Sequence, residues 1–248
     1  MKIRFKASPS RLSYWSESLR FNDGETAEVG NYTADMLIRS FPTNFEEVAL
    51  SLGDLGKPLH KPLKLSGITI LTVHYKLATL KKSLLSYLPK EVEFIKLDNR
   101  NNRWHSMAKA LNYGIRRAKN DLIICAHEDV RFGEGWFSDF IAQECRLKEW
   151  GTLGITGFTE DGRILWGSDH DTPQEIALLD DCCIILNRRN GIWFDEKTFT
   201  GWHRYGIDFC FQCHEANLGV YIITGLAYHD CVPENHSKEW RDQRETAH

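Results

Sequence analysis

An α/β fold with a mostly parallel central sheet is what this sequence predicts, on three observations. Apolar runs at residues 68–73, 92–97 and 122–126 have the length of strands and largely lack polar alternation, as expected for strands covered on both faces. Between them, Leu77, Leu80, Leu84 and Leu88 recur at helical spacing, as do Trp104, Met107, Ala108, Leu111, Ile115 and Ala118. Strands that alternate with helices in this way join through right-handed crossovers into a parallel sheet. Each strand also ends in polar side chains: His74 and Tyr75, then Asp98 and Asn99, then His127, Glu128 and Asp129. The carboxyl ends of parallel strands form the edge that flanking helices leave open to ligands.

The 248 residues suffice for one large domain with a small appendage. A hydrophobic content of 42% and a charged content of 26% exclude a disordered chain. The formal net charge of −3 gives no global attraction for nucleic acid. No run approaches the roughly 20 apolar residues of a membrane span, and Met1-Lys2-Ile3-Arg4-Phe5-Lys6 leads into Ser and Pro, not into an apolar signal segment. The expectation is a soluble, cytoplasmic protein. Seven cysteines, with Cys125, Cys182 and Cys183 inside apolar runs, read as buried thiols in a reducing compartment. Cys210 and Cys213 would share one helix with no second half-site, so they read as packing and not as a zinc site.

Residues 1–65 form an N-terminal extension of unknown role. In it Ile3 and Phe5 alternate with basic residues as in an edge strand, residues 34–41 and 45–52 suggest short helices separated by Pro42, and Pro58 and Pro62 mark an extended connector. The main domain runs over residues 66–232, and residues 233–248 are a tail. After the third strand, a helix carries Phe137, Phe140, Ile141 and Cys145. Residues 151–158 and 163–167 read as a hairpin around Gly162, and residues 176–186 as a strand interrupted by Asp180 and Asp181. The last third reads as an acceptor half in which Trp166, Asp181, Trp202 and His203 are candidate acceptor or sugar contacts, since aromatic faces suit a sugar ring. A helix over residues 205–217 places Asp208 in its first turn, where the helix dipole favours a carboxylate. A strand at 220–224 then leads to His229 and Asp230.

No glycine-rich dinucleotide loop or phosphate-binding lysine loop follows the first strand. Phosphates must be held another way. A divalent cation on Asp129, Mn2+ or Mg2+, is the economical substitute, because such ions take oxygen ligands and neutralise a diphosphate directly.

Ordered along residues 67–230, several pieces resemble the nucleotide-diphospho-sugar glycosyltransferases of GT-A fold, family 2 type. They are residues 68–75, Leu97-Asp98-Asn99, residues 110–114, His127-Glu128-Asp129-Val130, Phe194-Asp195-Glu196, Tyr205-Gly206-Ile207-Asp208 and Tyr228-His229. The resemblance implies a metal-dependent glycosyltransferase that draws on a UDP-sugar and transfers to a hydroxyl acceptor on a glycan, lipid or protein. By it, Thr72, Val73, His74, Tyr75, Asp98, Asn99, His127 and Glu128 contact the nucleotide. Asp129 and His229 hold the metal, and Asp208 is the acceptor base of an inverting reaction. The chain departs from the family pattern at three points: His127 stands where an aspartate is usual, Ile207 replaces a carboxylate, and the Gln-x-x-Arg-Trp motif of processive synthases is missing. These departures argue against a polymerising enzyme and leave a second reading, a nucleotide-sugar or UDP-binding regulatory protein.

Overall fold

In the computed structural model the described residues are five short strands before residue 50 and the continuous stretch 58–230. In chain order the early strands are β1 (Lys2–Phe5), β2 (Ser13–Trp15), β3 (Arg20–Asn22), β4 (Thr26–Glu28) and β5 (Phe45–Val48). β1 lies between β4 and β5, antiparallel to both, and β2 pairs with β3. Phe45 therefore opens a strand and not a helix, and Ile3 and Phe5 belong to a central strand and not an edge. Pairing with a neighbouring strand has overridden the helix preference of the two adjacent glutamates. The helix expected at 34–41 and the tail at 233–248 fall outside the described residues.

The main body continues with β6 (Ile68–His74), α1 (Leu77–Lys82), β7 (Glu93–Asp98), α2 (Met107–Ile115), β8 (Leu122–Ala126), β9 (Val130–Phe132) and α3 (Trp136–Glu144). There follow β10 (Trp150–Gly154), β11 (Thr156–Phe158), β12 (Ile164–Trp166), β13 (Gln174–Glu175), β14 (Leu178–Leu179) and β15 (Cys183–Asn187). The last elements are α4 (Tyr205–Glu215), β16 (Gly219–Ile222) and β17 (Ala227–His229). The central sheet has the order β13-β16-β10-β15-β8-β6-β7. β6 is parallel to both β7 and β8, and β10 is parallel to β16, while β15 runs antiparallel between β8 and β10. β7, β6, β8, β10 and β16 thus point one way, and the sheet is mixed but mostly parallel, as the alternation of strands and helices predicts.

Both faces of the sheet are covered, which is why β6 and β8 are buried along their whole length. Ile68, Ile70 and Ile124 pack with Trp136, Phe137 and Phe140 of α3 on one side. Leu71, Val73, Ile123 and Cys125 pack with Met107, Leu111 and Ile115 of α2 and Phe209 of α4 on the other. α2 lies so close to β6 that a Cβ on Gly114 would come 2.4 Å from Leu71 Cδ1, so any larger residue there would have to displace the Leu71 side chain.

Several expectations need correction. The helix expected to carry Leu77 to Leu88 stops at Lys82, and Leu84–Tyr87 form a 3-10 turn. Trp104 precedes α2; its N–H donates to Asn99 Oδ1 (2.6 Å) and its carbonyl accepts from Asn99 Nδ2 (3.1 Å). Residues 151–158 are two strands: β10 belongs to the central sheet, while β11 pairs with β12 and β14 in a small separate one. Residues 176–186 split the same way into β14 and β15, and Asp180 and Asp181 lie at the passage between the sheets.

Candidate functional site

The carboxyl edge of β6, β7 and β8 gathers the polar strand ends. The ladder between β8 and β15 sets Ala126 opposite Cys183 and continues through a hydrogen bond from His127 N to the Cys182 carbonyl (2.9 Å). It therefore carries Asp180, Asp181 and Cys182 to the side of His127. Past the turn, β9 pairs with β17, setting His229 opposite Val130, and Asp230 N donates to the Asp129 carbonyl (3.0 Å). The first pairing joins residues about 55 positions apart in sequence and the second residues about a hundred apart.

The result is a compact donor cluster. Candidate ligand atoms of His127, Asp129 and His229 all lie within 4.8 Å of one another. His229 Nε2 is 3.3 Å from Asp129 Oδ1, and the rings of His127 and His229 meet edge to face at 5.5 Å. His127 Nε2 also shares a 2.9 Å hydrogen bond with the Tyr205 hydroxyl, which donates to the Asp181 carbonyl at 2.7 Å. Burial, with the His229 imidazole nearby, holds the His127 pKa down at about 4. Burial also opposes protonation of His229, but the hydrogen bond and charge of Asp129 outweigh it and raise that imidazole above its ordinary value. Desolvation of Asp129 is likewise outweighed by His229 and His127, so its carboxyl stays below the usual range. Two imidazoles and an ionised carboxylate at this spacing fit a divalent transition cation.

Other expected site residues are divided between the sheet edge and the scaffold. Glu128 Oε2 accepts from both Tyr75 N and Lys76 N at 2.9 Å, pinning the start of the loop after β6. Asn99 is fully buried and holds the loop after β7 through Trp104. Thr72, Val73 and His74 are buried, and among the described residues neither the Thr72 hydroxyl nor either His74 ring nitrogen has a hydrogen-bond partner. Desolvation lowers the His74 pKa, although Asp98 stands 4.0 Å away. Asp98 is exposed and bonds Arg100, whose Nε lies 2.9 Å from Oδ1. Tyr75 is partly exposed, and its ring meets Trp202 edge on at 5.1 Å.

In the acceptor half, Asp181 Oδ2 accepts from Arg204 N (2.6 Å) and Oδ1 from Gly206 N (2.8 Å), capping the amino end of α4. Burial pushes its carboxyl up to about 7 against those two donors. His203 is near enough for its charge to act on His127. Asp208 lies in the first turn of α4, and its Oδ2 accepts from Gln212 Nε2 at 2.7 Å. Trp166 ends β12, in the small sheet. Reading by motif missed Tyr205, Asp180 and Cys182. The one available signal was the run Asp180-Asp181-Cys182, which interrupts an otherwise apolar segment just before β15.

No protein-family model matches the chain. A relative described as "ATP synthase subunits region ORF 6" of Fuscovulum blasticum is 24% identical over 163 residues, spanning 58% of this chain and 65% of that protein. Among solved structures, GalNAc-T7 with UDP, GalNAc and Mn2+ superposes with a TM-score of 0.52 at 8% identity, over 64% of this chain and 43% of its own. The fold is GT-A. The mannosyltransferase PcManGT of Pyrobaculum calidifontis, in complex with GDP-Man and Mn2+, aligns with a TM-score of 0.49 at 11% identity, over 86% of this chain and 66% of its own. On this GT-A chain the His127, Asp129 and His229 cluster lies at the carboxyl edge of the central sheet, beside the loop after β6 that Glu128 fixes. Among the described residues no helix is long and apolar enough to cross a membrane.

Proposed function

We propose that this protein is a metal-dependent glycosyltransferase of hexosyl type. It takes sugar from a nucleotide diphosphate donor, a UDP-sugar, and passes it to a hydroxyl on a glycan, lipid or protein. The observation that carries this reading is the meeting of His127, Asp129 and His229 within 4.8 Å at the edge where α/β sheets bind ligands. His127, Asp129 and His229 would hold a divalent cation, Mn2+ in preference to Mg2+ given two imidazole donors, which would supply charge stabilisation to a departing diphosphate. The GT-A neighbour GalNAc-T7, whose structure contains UDP and Mn2+, supports the choice of donor and ion.

The chain's own side chains take the remaining roles. Thr72, Val73, His74, Tyr75, Asp98 and Asn99, at the ends of β6 and β7, line the nucleotide side. His127 and Glu128 complete it, the second by holding the Tyr75 and Lys76 amides in place. Trp202, set against Tyr75, offers an aromatic face to the sugar; Trp166, Asp181 and His203 are assigned to the acceptor side. Asp208 accepts the proton of the attacking hydroxyl, and transfer proceeds with inversion. Residues 66–232 carry the donor site, with 1–65 as an appendage. The six described cysteines are all free and buried, which suits a reducing cytoplasm.

A second reading, a nucleotide-sugar-binding regulatory protein, draws on one observation. Asp208 is engaged by Gln212 and Asp181 by backbone amides, so both carboxylates of the acceptor half already have partners. Release of UDP from UDP-sugars, followed with Mn2+ across an acceptor panel, separates the two. Turnover that Asp208→Asn removes while UDP still binds supports transfer; UDP binding without release under every condition supports regulation.

A further inference from the structure

We propose that Asp180, Cys182 and His229 form a second cation position beside the first, taking a thiophilic divalent ion of the zinc, cobalt or cadmium class, with His229 shared between the two. Its regulatory consequence rests on the proposed cation site at His127, Asp129 and His229. Candidate ligand atoms of the three residues lie within 4.8 Å of one another. Cys182 is fully buried, and its backbone is fixed on both sides: its N–H donates to Asp180 Oδ1 at 2.9 Å and its carbonyl accepts from His127 N at 2.9 Å. The thiol thus sits at the rim of the cluster and not in the interior of a helix, where Cys210 and Cys213 lie.

Local charge favours a cation. Asp180 and Asp129 both stand near enough for their charges to act on the Cys182 thiol. When a cation binds, a sulfur–metal bond forms, the S–H bond breaks, and the proton leaves to solvent. Thiolate is a soft donor, so it selects zinc, cobalt or cadmium over manganese or magnesium, which favour oxygen. Because His229 serves both positions, an ion on Cys182 competes for a ligand of the first. Zinc then acts as an inhibitor of the manganese-loaded protein.

The test is a Co2+ titration of the full chain, with bound metal measured by equilibrium dialysis and thiolate-to-cobalt charge transfer by near-ultraviolet absorption. The expected result is a charge-transfer band in the wild type and in Asp129→Asn. Cys182→Ser removes it, and Cys183→Ser and Cys231→Ser leave it intact. A band that survives Cys182→Ser overturns the proposal. So does cobalt binding with no such band in the wild type, a result that leaves the first cation site standing. No cobalt binding at all overturns both. Should Cys182→Ser not fold, Asp180→Asn decides, with cobalt affinity at the thiolate position falling about tenfold or more; unchanged affinity there contradicts the proposal.

Discussion

Gly206 approaches Asp181 so closely that a methyl group on its Cα would lie 2.6 Å from the Asp181 Oδ1. That approach lets the carboxylate take the Gly206 and Arg204 amides and cap α4, which in turn sets Tyr205 against His127. Arg204 adopts φ +67°, a conformation that the two-amide clasp on Asp181 holds in place. Gly206→Ala is expected to cost about 1–3 kcal/mol, the range for overpacking a fitted site. Urea unfolding measures it, and a variant as stable as the wild type would remove Asp181 from this role.

Asn112 is buried in α2 and clamps Phe194 from both sides: Nδ2 donates to the Phe194 carbonyl at 2.8 Å, and Oδ1 accepts its N–H at 3.3 Å. Asn112→Ala leaves both backbone groups buried without partners, and the expected loss is about 2–3 kcal/mol. Chemical denaturation followed by tryptophan fluorescence reads it.

Asp121, at the entrance to β8, accepts from Arg188 Nη2 (2.8 Å) and Arg189 Nε (2.6 Å). The Arg188 hydrogen bond, assisted by Arg189, holds its carboxyl below the usual range. A depressed folded-state pKa means the pair stabilises the fold above the unfolded value of about 3.9 and that this stability is lost as pH falls through the folded value. Asp121→Asn should cost about 1 kcal/mol at pH 7, allowing for partial solvent screening. The gap in melting temperature from the wild type should close in acid; a gap independent of pH would mean the charge is not its source.

Much of the sheet could be read in advance because strands covered on both faces leave an unmistakable apolar signature, as β6 and β8 do. Of the candidate cluster, His127 and Asp129 stand out in sequence at the end of such a strand, and His229 through its resemblance to the family pattern. Asp180, Cys182 and Tyr205 reach the cluster through the antiparallel β15 and the cap of α4, and nothing local in sequence announces a cross-strand register. The contacts that hold this edge together, Glu128 Oε2 with the Tyr75 and Lys76 amides and Asn99 with the Trp104 backbone, depend on loop paths that residue type alone does not announce. β5 was misread as a helix because its strand pairing is with β1, 40 to 46 residues away.

The central claim is that a cation held by His127, Asp129 and His229 secures a nucleotide diphosphate at the sheet edge. Calorimetric titration of UDP, with and without Mn2+, into the wild type and Asp129→Ala tests it most directly. Mn2+-dependent UDP binding is expected in the wild type and its loss in the variant, with the fold intact by circular dichroism. Equal affinity in both proteins, or UDP binding indifferent to Mn2+, would contradict it.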